Sequence, residues 1–334
     1  MAISPRESGK YISKLSKNVQ ICNSKISDLS EKILEELVAG KISPGGFSSH
    51  PCHPAATEAA LNWILLVDTL NFCFWSHNGA HWEVQWKGET YTGYFALCAA
   101  VNRAVETGVD ATDPKVYSQW SLKDLEHILR GDNGIQLMLL EERLQCVQEV
   151  GKKLLDKYKG NFVNCVKQCE GSAQSLLKLI VTEFPCFRDE ADYNGERVSF
   201  YKRAQILVGD VWSCFEGKGL GVFNDIDSLT MFADYRVPQV LVYFGVLEYS
   251  KGLNKKLNEG DFLPNGSVEE VEIRGCSIEA VERLKTKVDE QIKDSGKHLH
   301  CNSVLIDHFL WSYRRSCRAE LDKIPFHKTI CIYY

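Results

Sequence analysis

The sequence lacks the features that mark several large classes of protein. Its 39 lysines and arginines are outnumbered by 44 aspartates and glutamates, so it has no basic excess of the kind that proteins of long DNA or RNA carry. No stretch reaches the roughly 18 apolar residues of a membrane span, and the polar first residues lack the apolar core of a secretory signal. We therefore expect a globular protein of the cytoplasm, with the nucleus as an alternative, that contacts neither nucleic acid nor membrane directly.

Metal and cofactor motifs are also missing. The thirteen cysteines are scattered singly without a CxxC, and the nearest two, Cys165 and Cys169, have a spacing that suits helix packing more than chelation. The HxxH formed by His50 and His53 has no third ligand nearby. No GxGxxG between strand and helix, no GxxxxGK[ST] loop and no GxSxG elbow occurs. The sequence predicts buried, reduced thiols and neither a metal nor a cofactor.

Apolar spacing predicts a mainly α fold with one small antiparallel β-hairpin. The hairpin is expected over 82–94, where Trp82, Val84 and Trp86 alternate with polar residues before a Lys87-Gly88 turn. Residues 250–270 are polar, with Pro264 and Gly266 in a loop, and a short apolar alternation follows. We expect one compact domain over 1–334, with sub-lobes 1–190 and 191–334 as an alternative. Helices are predicted within 1–40 and over 61–70, 93–108, 121–131, 139–159, 160–184, 199–216, 277–296 and 302–317.

The segment 228–243, SLTMFADYRVPQVLVY, contains a single acid, Asp234, among apolar residues. Its second half predicts a helix with Pro238 in the first turn, which places Asp234 at or just before the helix N-terminus. There the carboxylate would be desolvated, yet the positive helix end would keep it ionised. Such a carboxylate stabilises a cationic transition state, as glycosidic bond cleavage requires. An ordinary N-cap is the competing interpretation, which the pattern alone favours.

Two further groups could carry chemistry. Lys202 and Arg203 lie together near the start of the helix predicted over 199–216, where they could hold a phosphate or form a solvated first turn. Cations at a helix N-terminus oppose the macrodipole, which mildly favours a functional reason. Asp307 has apolar neighbours in VLIDHFLW and is expected to be buried. It therefore needs a partner, either within the protein or on a cationic ligand.

Longer segments resemble the eukaryotic queuosine salvage proteins, the queuosine 5′-phosphate N-glycosylases/hydrolases. The resemblance covers nearly the whole chain. It implies hydrolysis of queuosine 5′-monophosphate to release queuine, a 7-deazaguanine base, for reuse by tRNA-guanine transglycosylase. It also implies a helical core similar to that of helix-hairpin-helix DNA glycosylases. The segments that carry it are PRES, TLNFCFW, TYTGYFALCAAVNRAVETG, RVSFYKRAQILVGDVW, TMFADYRVPQVLVYFG, VEIRGCS and CIYY.

The resemblance assigns roles to individual residues. Asp234 matches the catalytic acid and Lys202 the central lysine, which either binds phosphate or holds Asp234. The family often has Asp-Tyr-Tyr-Leu-Trp-Asp where this chain has Asp307-His308-Phe309-Leu310-Trp311-Ser312, so a tyrosine and a second acid are missing. The base-pocket candidates are His50, Phe232, Tyr235, Asp307, His308, Trp311 and Ser312. The candidates for the 5′-phosphate are Lys202, Arg203 and Arg236.

The chemistry of the substrate fits these roles. Carbon replaces N7 in queuine, so the usual acid catalysis by protonating N7 is not available. The enzyme must stabilise the sugar cation and the leaving anion, and Asp234 would serve the first, as a charge or as a transient nucleophile. A DNA or RNA-base glycosylase of the same core is an alternative that the negative charge opposes. A non-enzymatic helical binding module is another, but it gives no reason for a buried Asp234.

Overall fold

The computed structural model describes residues 2–47, 49–76 and 79–334. Over these residues the fold is mainly α, with small antiparallel strand pairs, as predicted. The likeness of the core to helix-hairpin-helix glycosylases stays a prediction. In chain order the elements are α1 (Pro5–Leu15), β1 (Val19–Ile21), α2 (Asn23–Val38), α3 (Glu58–Leu70), β2 (Glu83–Trp86), β3 (Glu89–Thr92), α4 (Tyr94–Glu106), α5 (Pro114–Tyr117), α6 (Leu122–Ile128), α7 (Leu140–Lys157), α8 (Val163–Gln168), α9 (Ala173–Glu183), β4 (Glu190–Tyr193), β5 (Glu196–Ser199), α10 (Lys202–Cys214), α11 (Val237–Tyr243), β6 (Leu247–Tyr249), α12 (Lys251–Glu259), α13 (Val268–Ser295), α14 (Ser303–Ser316) and α15 (Arg318–Leu321).

The chain divides into two compact units, each built from separate stretches of sequence. Unit 1 contains the chain up to Ser43, Asp189–Gln205 and Asp227–Ile330. Unit 2 contains Pro44–Arg188, Ile206–Ile226 and Cys331–Tyr334. The boundary between them falls inside α10, whose first turn belongs to unit 1. The single-domain organisation predicted above stays a prediction.

Unit 1 is organised around the long helix α13, against which α1, α2 and α14 pack. The closest approach is between α1 and α13, where glycines on both helices face isoleucines. A β-carbon on Gly275 would lie 2.5–2.7 Å from three carbons of Ile12, and one on Gly9 would lie 2.8 Å from Ile278 Cγ2. These glycines therefore set the distance between the two helices.

Replacing Gly275 by alanine is expected to destabilise the protein by about 1–3 kcal/mol, because the added methyl group overpacks the contact with Ile12. The matched control is Gly252→Ala in α12, where the nearest atom to an added β-carbon is Ser250 Oγ at 4.0 Å. That change should leave stability unchanged or raise it slightly through helix propensity. Denaturant midpoints of the two variants would test this, and equal midpoints would contradict it.

Unit 2 contains the predicted hairpin, in which β2 and β3 pair antiparallel from Glu83↔Thr92 to Trp86↔Glu89. It also contains the capping box predicted at the start of α6, where the side chains of Ser121 and Asp124 each accept from the other's backbone amide. The stretch 160–184, expected as one helical region, forms two helices, α8 and α9. The terminal Tyr334 is 1% exposed, and its carbonyl accepts the Cys73 amide at 3.0 Å.

Two stretches of unit 1 form helix that the sequence pattern did not predict. The polar residues 250–270 include α12, because the Ser250 side chain caps this helix through the Leu253 amide, and Leu253 and Leu257 bury one face. The expected alternation before 277 is the start of α13. The apolar pattern did not reveal this helix, because two positions of its buried face are occupied by charged residues, Glu270 and Arg274. The hairpin β4–β5 and the pair β1–β6 were also not predicted.

The thirteen cysteines are free, and all except Cys22 and Cys317 are buried, which confirms the prediction of reduced core thiols. Burial raises the pKa of Cys73, Cys169 and Cys214 to about 11, so these thiols stay protonated and unreactive at neutral pH. Within the described part of the chain, no helix is long and apolar enough to cross a membrane.

Candidate active site

Asp234 lies in unit 1 at the end of a buried, extended segment and just before α11. Its own amide donates to Phe232 O at 2.7 Å, which makes a tight turn. Its Oδ1 accepts the amides of Arg236 and Val237, both at 2.8 Å. Asp234 thus holds the start of α11 from two positions before the N-cap, Arg236, and is not itself the N-cap that the pattern alone favoured. These contacts use one carboxylate oxygen only, and no described residue donates a hydrogen bond to Oδ2.

Two opposing electrostatic effects act on the pKa of the Asp234 carboxyl. Burial raises this pKa, whereas the charge of Lys202 and the two amides lower it. The residue as a whole is half-buried, and its neighbours Ala233 and Tyr235 are buried. A carboxylate that is poorly hydrated and held by fixed donors is suited to stabilise a developing cation.

Lys202 and Arg203 form the first turn of α10 and are 6% and 1% exposed. This burial excludes the solvated first turn that the sequence left open. The helix begins at Lys202 because its amide donates to Asp189 Oδ2 at 3.1 Å. One turn later, the Gln205 side chain donates to Thr230 Oγ1 and accepts the Thr230 amide, each at 2.9 Å. The start of α10 is therefore joined to the segment that leads to Asp234.

Asp307 is 4% exposed on α14, as predicted. Its Oδ1 accepts the Phe232 amide at 2.9 Å, so its partner is the backbone two residues before Asp234. Burial and the charge of Asp234 raise the pKa of Asp307 well above its usual range, against a smaller effect of Lys202. The carboxyls of Asp234 and Asp307 and the ammonium of Lys202 therefore influence one another electrostatically in this part of unit 1.

The other pocket candidates of unit 1 lie close in sequence to Asp234 or to Asp307. The Phe232 and His308 rings lie 6.1 Å apart, and desolvation lowers the pKa of His308 to about 4, which leaves it neutral at pH 7. The Tyr235 ring packs 5.1 Å from Phe326. Trp311 is partly buried one turn after Asp307, and Ser312 is exposed.

Arg236 is fixed by contacts to its own unit. Its Nη1 donates to Gln239 Oε1 at 3.0 Å, and its guanidinium carbon lies 4.3 Å above the Phe326 ring. The side chain of Gln239 in turn donates to Leu321 O and Ile324 O. The cation is therefore held two residues from Asp234 and keeps donors that a phosphate could use.

His50 is the one candidate that lies in unit 2; the other ten lie in unit 1. Its Nδ1 accepts the Cys52 amide at 3.2 Å, and its ring stacks on Phe95 with centroids 3.6 Å apart. In the neutral imidazole the proton is then on Nε2, which makes that atom a donor.

Sequence reasoning missed a buried ion cluster in unit 1, composed of Asp189, Glu270 and Arg274. All three side chains are at most 3% exposed. The available signal was Arg274 itself, a cation between apolar residues in VEIRGC, because a charge at such a place requires a buried partner. Elsewhere among the described residues, no group of three or more His, Cys, Asp or Glu side chains could hold a metal ion.

The sequence is similar over its length to proteins named for one activity. A family model described as "Queuosine salvage protein" matches residues 51–334. A Mus musculus protein named queuosine 5′-phosphate N-glycosylase/hydrolase is 47% identical over 99% of both chains. Proteins of the same name from Schizosaccharomyces pombe and Sphaerobacter thermophilus are 36% and 37% identical, over 98% and 92% of this chain and 99% and 91% of theirs.

Proposed function

Because the chain belongs to the queuosine salvage protein family, we propose that it hydrolyses the N-glycosidic bond of queuosine 5′-monophosphate and releases queuine. The relatives named above support this proposal over nearly the full length of the chain. The observation that carries it is Asp234, a carboxylate whose Oδ1 is fixed by two amides while burial limits its hydration. Its substrate is a small molecule of the cytoplasm, bound without direct contact to nucleic acid or membrane.

In the proposed reaction, the bond between C1′ and the base nitrogen lengthens and positive charge develops on the ribose. Asp234 Oδ2 stabilises this charge, as an electrostatic partner or as a transient nucleophile at C1′. Water then adds to C1′, and the base leaves with the bonding electrons and takes up a proton. Since Oδ1 is fixed before the substrate arrives, little reorganisation is needed at the moment of reaction.

Lys202 is proposed to tune Asp234 rather than to bind the phosphate. Its side chain is 6% exposed, and its charge lowers the pKa of both Asp234 and Asp307. A cation in this position keeps Asp234 ionised despite its burial. The 5′-phosphate is assigned instead to Arg236, which is half-buried and lies two residues after Asp234. Arg203 is 1% exposed and is a phosphate candidate from the sequence alone.

In unit 1, the base pocket is proposed to consist of Phe232, Tyr235, Asp307, His308, Trp311 and Ser312. Asp307 holds Phe232 in place and, through its carboxyl, is suited to a donor on the base or to queuine's protonated amine. In unit 2, His50 stays a base-contact candidate from the family resemblance, with its Nε2–H as a donor.

The proposal is tested by incubating the purified wild-type chain with queuosine 5′-monophosphate and separating the products by chromatography. We expect queuine and ribose 5-phosphate, with slower release from dephosphorylated queuosine. Release of a base from duplex DNA, or binding to DNA that weakens steeply with salt, would favour the alternative glycosylase. No base release, and no shift of the melting temperature with either nucleotide or nucleoside, would favour the binding module and reject the proposal.

A further inference from the structure

Arg274 is the most constrained cation of unit 1. It is 1% exposed in the second turn of α13. Its Nε donates to Ala233 O at 2.9 Å, and its Nη1 and Nη2 donate to the two oxygens of Asp189 at 2.9 and 2.5 Å. Nη1 also donates to Glu270 Oε1 at 3.1 Å, and the guanidinium carbon lies 4.1 Å above the Phe200 ring. Both edges and one face of the guanidinium are thus occupied.

Two of these contacts are made to residues that hold Asp234 and Lys202 in place. Ala233 immediately precedes Asp234. Asp189 Oδ2, which accepts from Arg274, also accepts the Lys202 amide at 3.1 Å and so fixes the start of α10. The Asp189 carbonyl further accepts the amides of Phe200 and Tyr201, at 3.0 and 3.3 Å. One side chain therefore connects the backbone before Asp234 with the helix start that carries Lys202.

A small number of hydrogen bonds among the described residues hold the backbone around Asp234. Phe232 N is held by Asp307, Ala233 O by Arg274, and the Asp234 side chain by the two amides of α11. The peptide unit that joins Ala233 to Asp234 is held on its amide side by Phe232 O, at 2.7 Å, and on its carbonyl side by Arg274. Removing the contact at Ala233 O would leave this unit with the bond inside its own turn and no hydrogen bond to α13. A displacement of about 1 Å at a reacting group can cost about 10²-fold in rate.

The buried ion cluster of Asp189, Glu270 and Arg274 carries a desolvation penalty that makes it a poor way to increase stability alone. It places one cation and two carboxylates, those of Asp189 and Glu270, in a dry interior, where apolar side chains of similar volume are often as stable or more stable. The bidentate geometry to Asp189 is available to arginine and not to lysine. Both points favour a role in orientation.

We propose that Arg274 is a positioning residue for the hydrolysis, which sets the spacing of Asp234 and Lys202 through its simultaneous contacts with Ala233 and Asp189. This inference rests on the proposed function. It extends the site to a residue that need not touch the substrate. Arg274 acts on the chemical step rather than on substrate binding, since neither of its two partners is a base-pocket or phosphate candidate.

The test compares Arg274→Lys with a matched control, Arg143→Lys, in the full chain. Arg143 in unit 2 is 0% exposed, donates to the carbonyls of Leu70, Phe72 and Cys73, and lies 4.1 Å from the Phe72 ring. Both changes should lower the melting temperature. Only Arg274→Lys should lower kcat, by about 10²-fold, with KM changed less than about threefold.

The outcomes separate the inference from the function on which it rests. If the wild type releases no queuine, the proposed function fails. If the wild type is active and folded Arg274→Lys keeps its kcat, or if Arg143→Lys loses as much, the positioning role is overturned. Should Arg274→Lys not fold, Asp189→Asn replaces it. That variant keeps the shape of the partner but weakens its charged pairing, so a loss in kcat with unchanged KM supports the inference and wild-type kcat rejects it.

Discussion

Asp234→Asn is expected to bind queuosine 5′-monophosphate but to release queuine with a kcat lowered about 10³-fold, the range found when one group that stabilises transition-state charge is removed. The amide oxygen of asparagine can still accept from Arg236 and Val237, so the start of α11 and the local backbone are preserved. What the variant loses is the negative charge that faces the developing ribose cation. The measurement is single-turnover release of queuine under saturating enzyme, together with the ligand-induced rise in melting temperature, which reports retained binding.

Asp225→Asn provides a matched control for this result. Asp225 is a partly buried carboxylate of unit 2 that accepts the amides of Ala173 and Gln174 at 2.5 and 3.2 Å and the Ser172 hydroxyl at 2.9 Å. It holds the start of α9 much as Asp234 holds the start of α11, and no family match assigns it a role. Its replacement should cost stability, about 1 kcal/mol, and leave kcat unchanged. Full turnover by Asp234→Asn would reject the mechanism, whatever the control shows.

Lys202→Met should lower kcat about 10²-fold at neutral pH and move the acid limb of the pH–rate profile to higher pH. Activity requires ionised Asp234 and therefore falls as the pH falls through the pKa of that carboxyl. Burial already raises this pKa, and the charge of Lys202 opposes the rise. Without the cation the pKa increases further, so the loss of activity begins at a higher pH. The profile of kcat/KM from pH 4 to 9 measures the shift.

The same variant decides between the two roles of Lys202 that the sequence left open. If Lys202 tunes Asp234, queuosine 5′-monophosphate and dephosphorylated queuosine lose rate by a similar factor. A loss confined to the monophosphate, with the acid limb in place, would show that the lysine binds phosphate instead. Lys218→Met is the control, because the Lys218 side chain is 80% exposed and pairs with Glu216 on the surface. It should change neither the rate nor the profile.

Local signals in the sequence predicted much of the fold. The alternation before Lys87-Gly88, the Ser121–Asp124 capping box and Pro238 in the first turn of α11 each depend on residues a few positions apart, and each was confirmed. The pair of β1 and β6 was missed because Val19 pairs with Tyr249 and neither three-residue strand has a pattern of its own. Helix α12 was missed because only two of its residues, Leu253 and Leu257, are buried.

The residues of the candidate site also differ in whether a local sequence pattern could predict them. Asp234 and Asp307 stood out because an isolated acid in an apolar run demands an explanation, and the burial of Asp307 was confirmed. Asp189 could not be recognised, since it lies in the polar stretch RDEADYNGER and its buried partner, Arg274, is 85 residues away in the chain. Charge pairs across such distances leave no local pattern. The fold is needed to show that Asp189 binds both the first amide of α10 and Arg274.

The packing of α1 on α13 has a consequence for the order in which the polypeptide acquires its structure. Ile12 leaves the ribosome long before Gly275, and at about 5–20 residues per second the interval is on the order of tens of seconds. During that time the apolar faces of α1 and α2 lack their main partner, whereas most of unit 2 comes from the uninterrupted stretch Pro44–Arg188. Unit 1, with Asp234 and Lys202, is therefore expected to mature last, and its early helices are where molecular chaperones would bind the nascent chain.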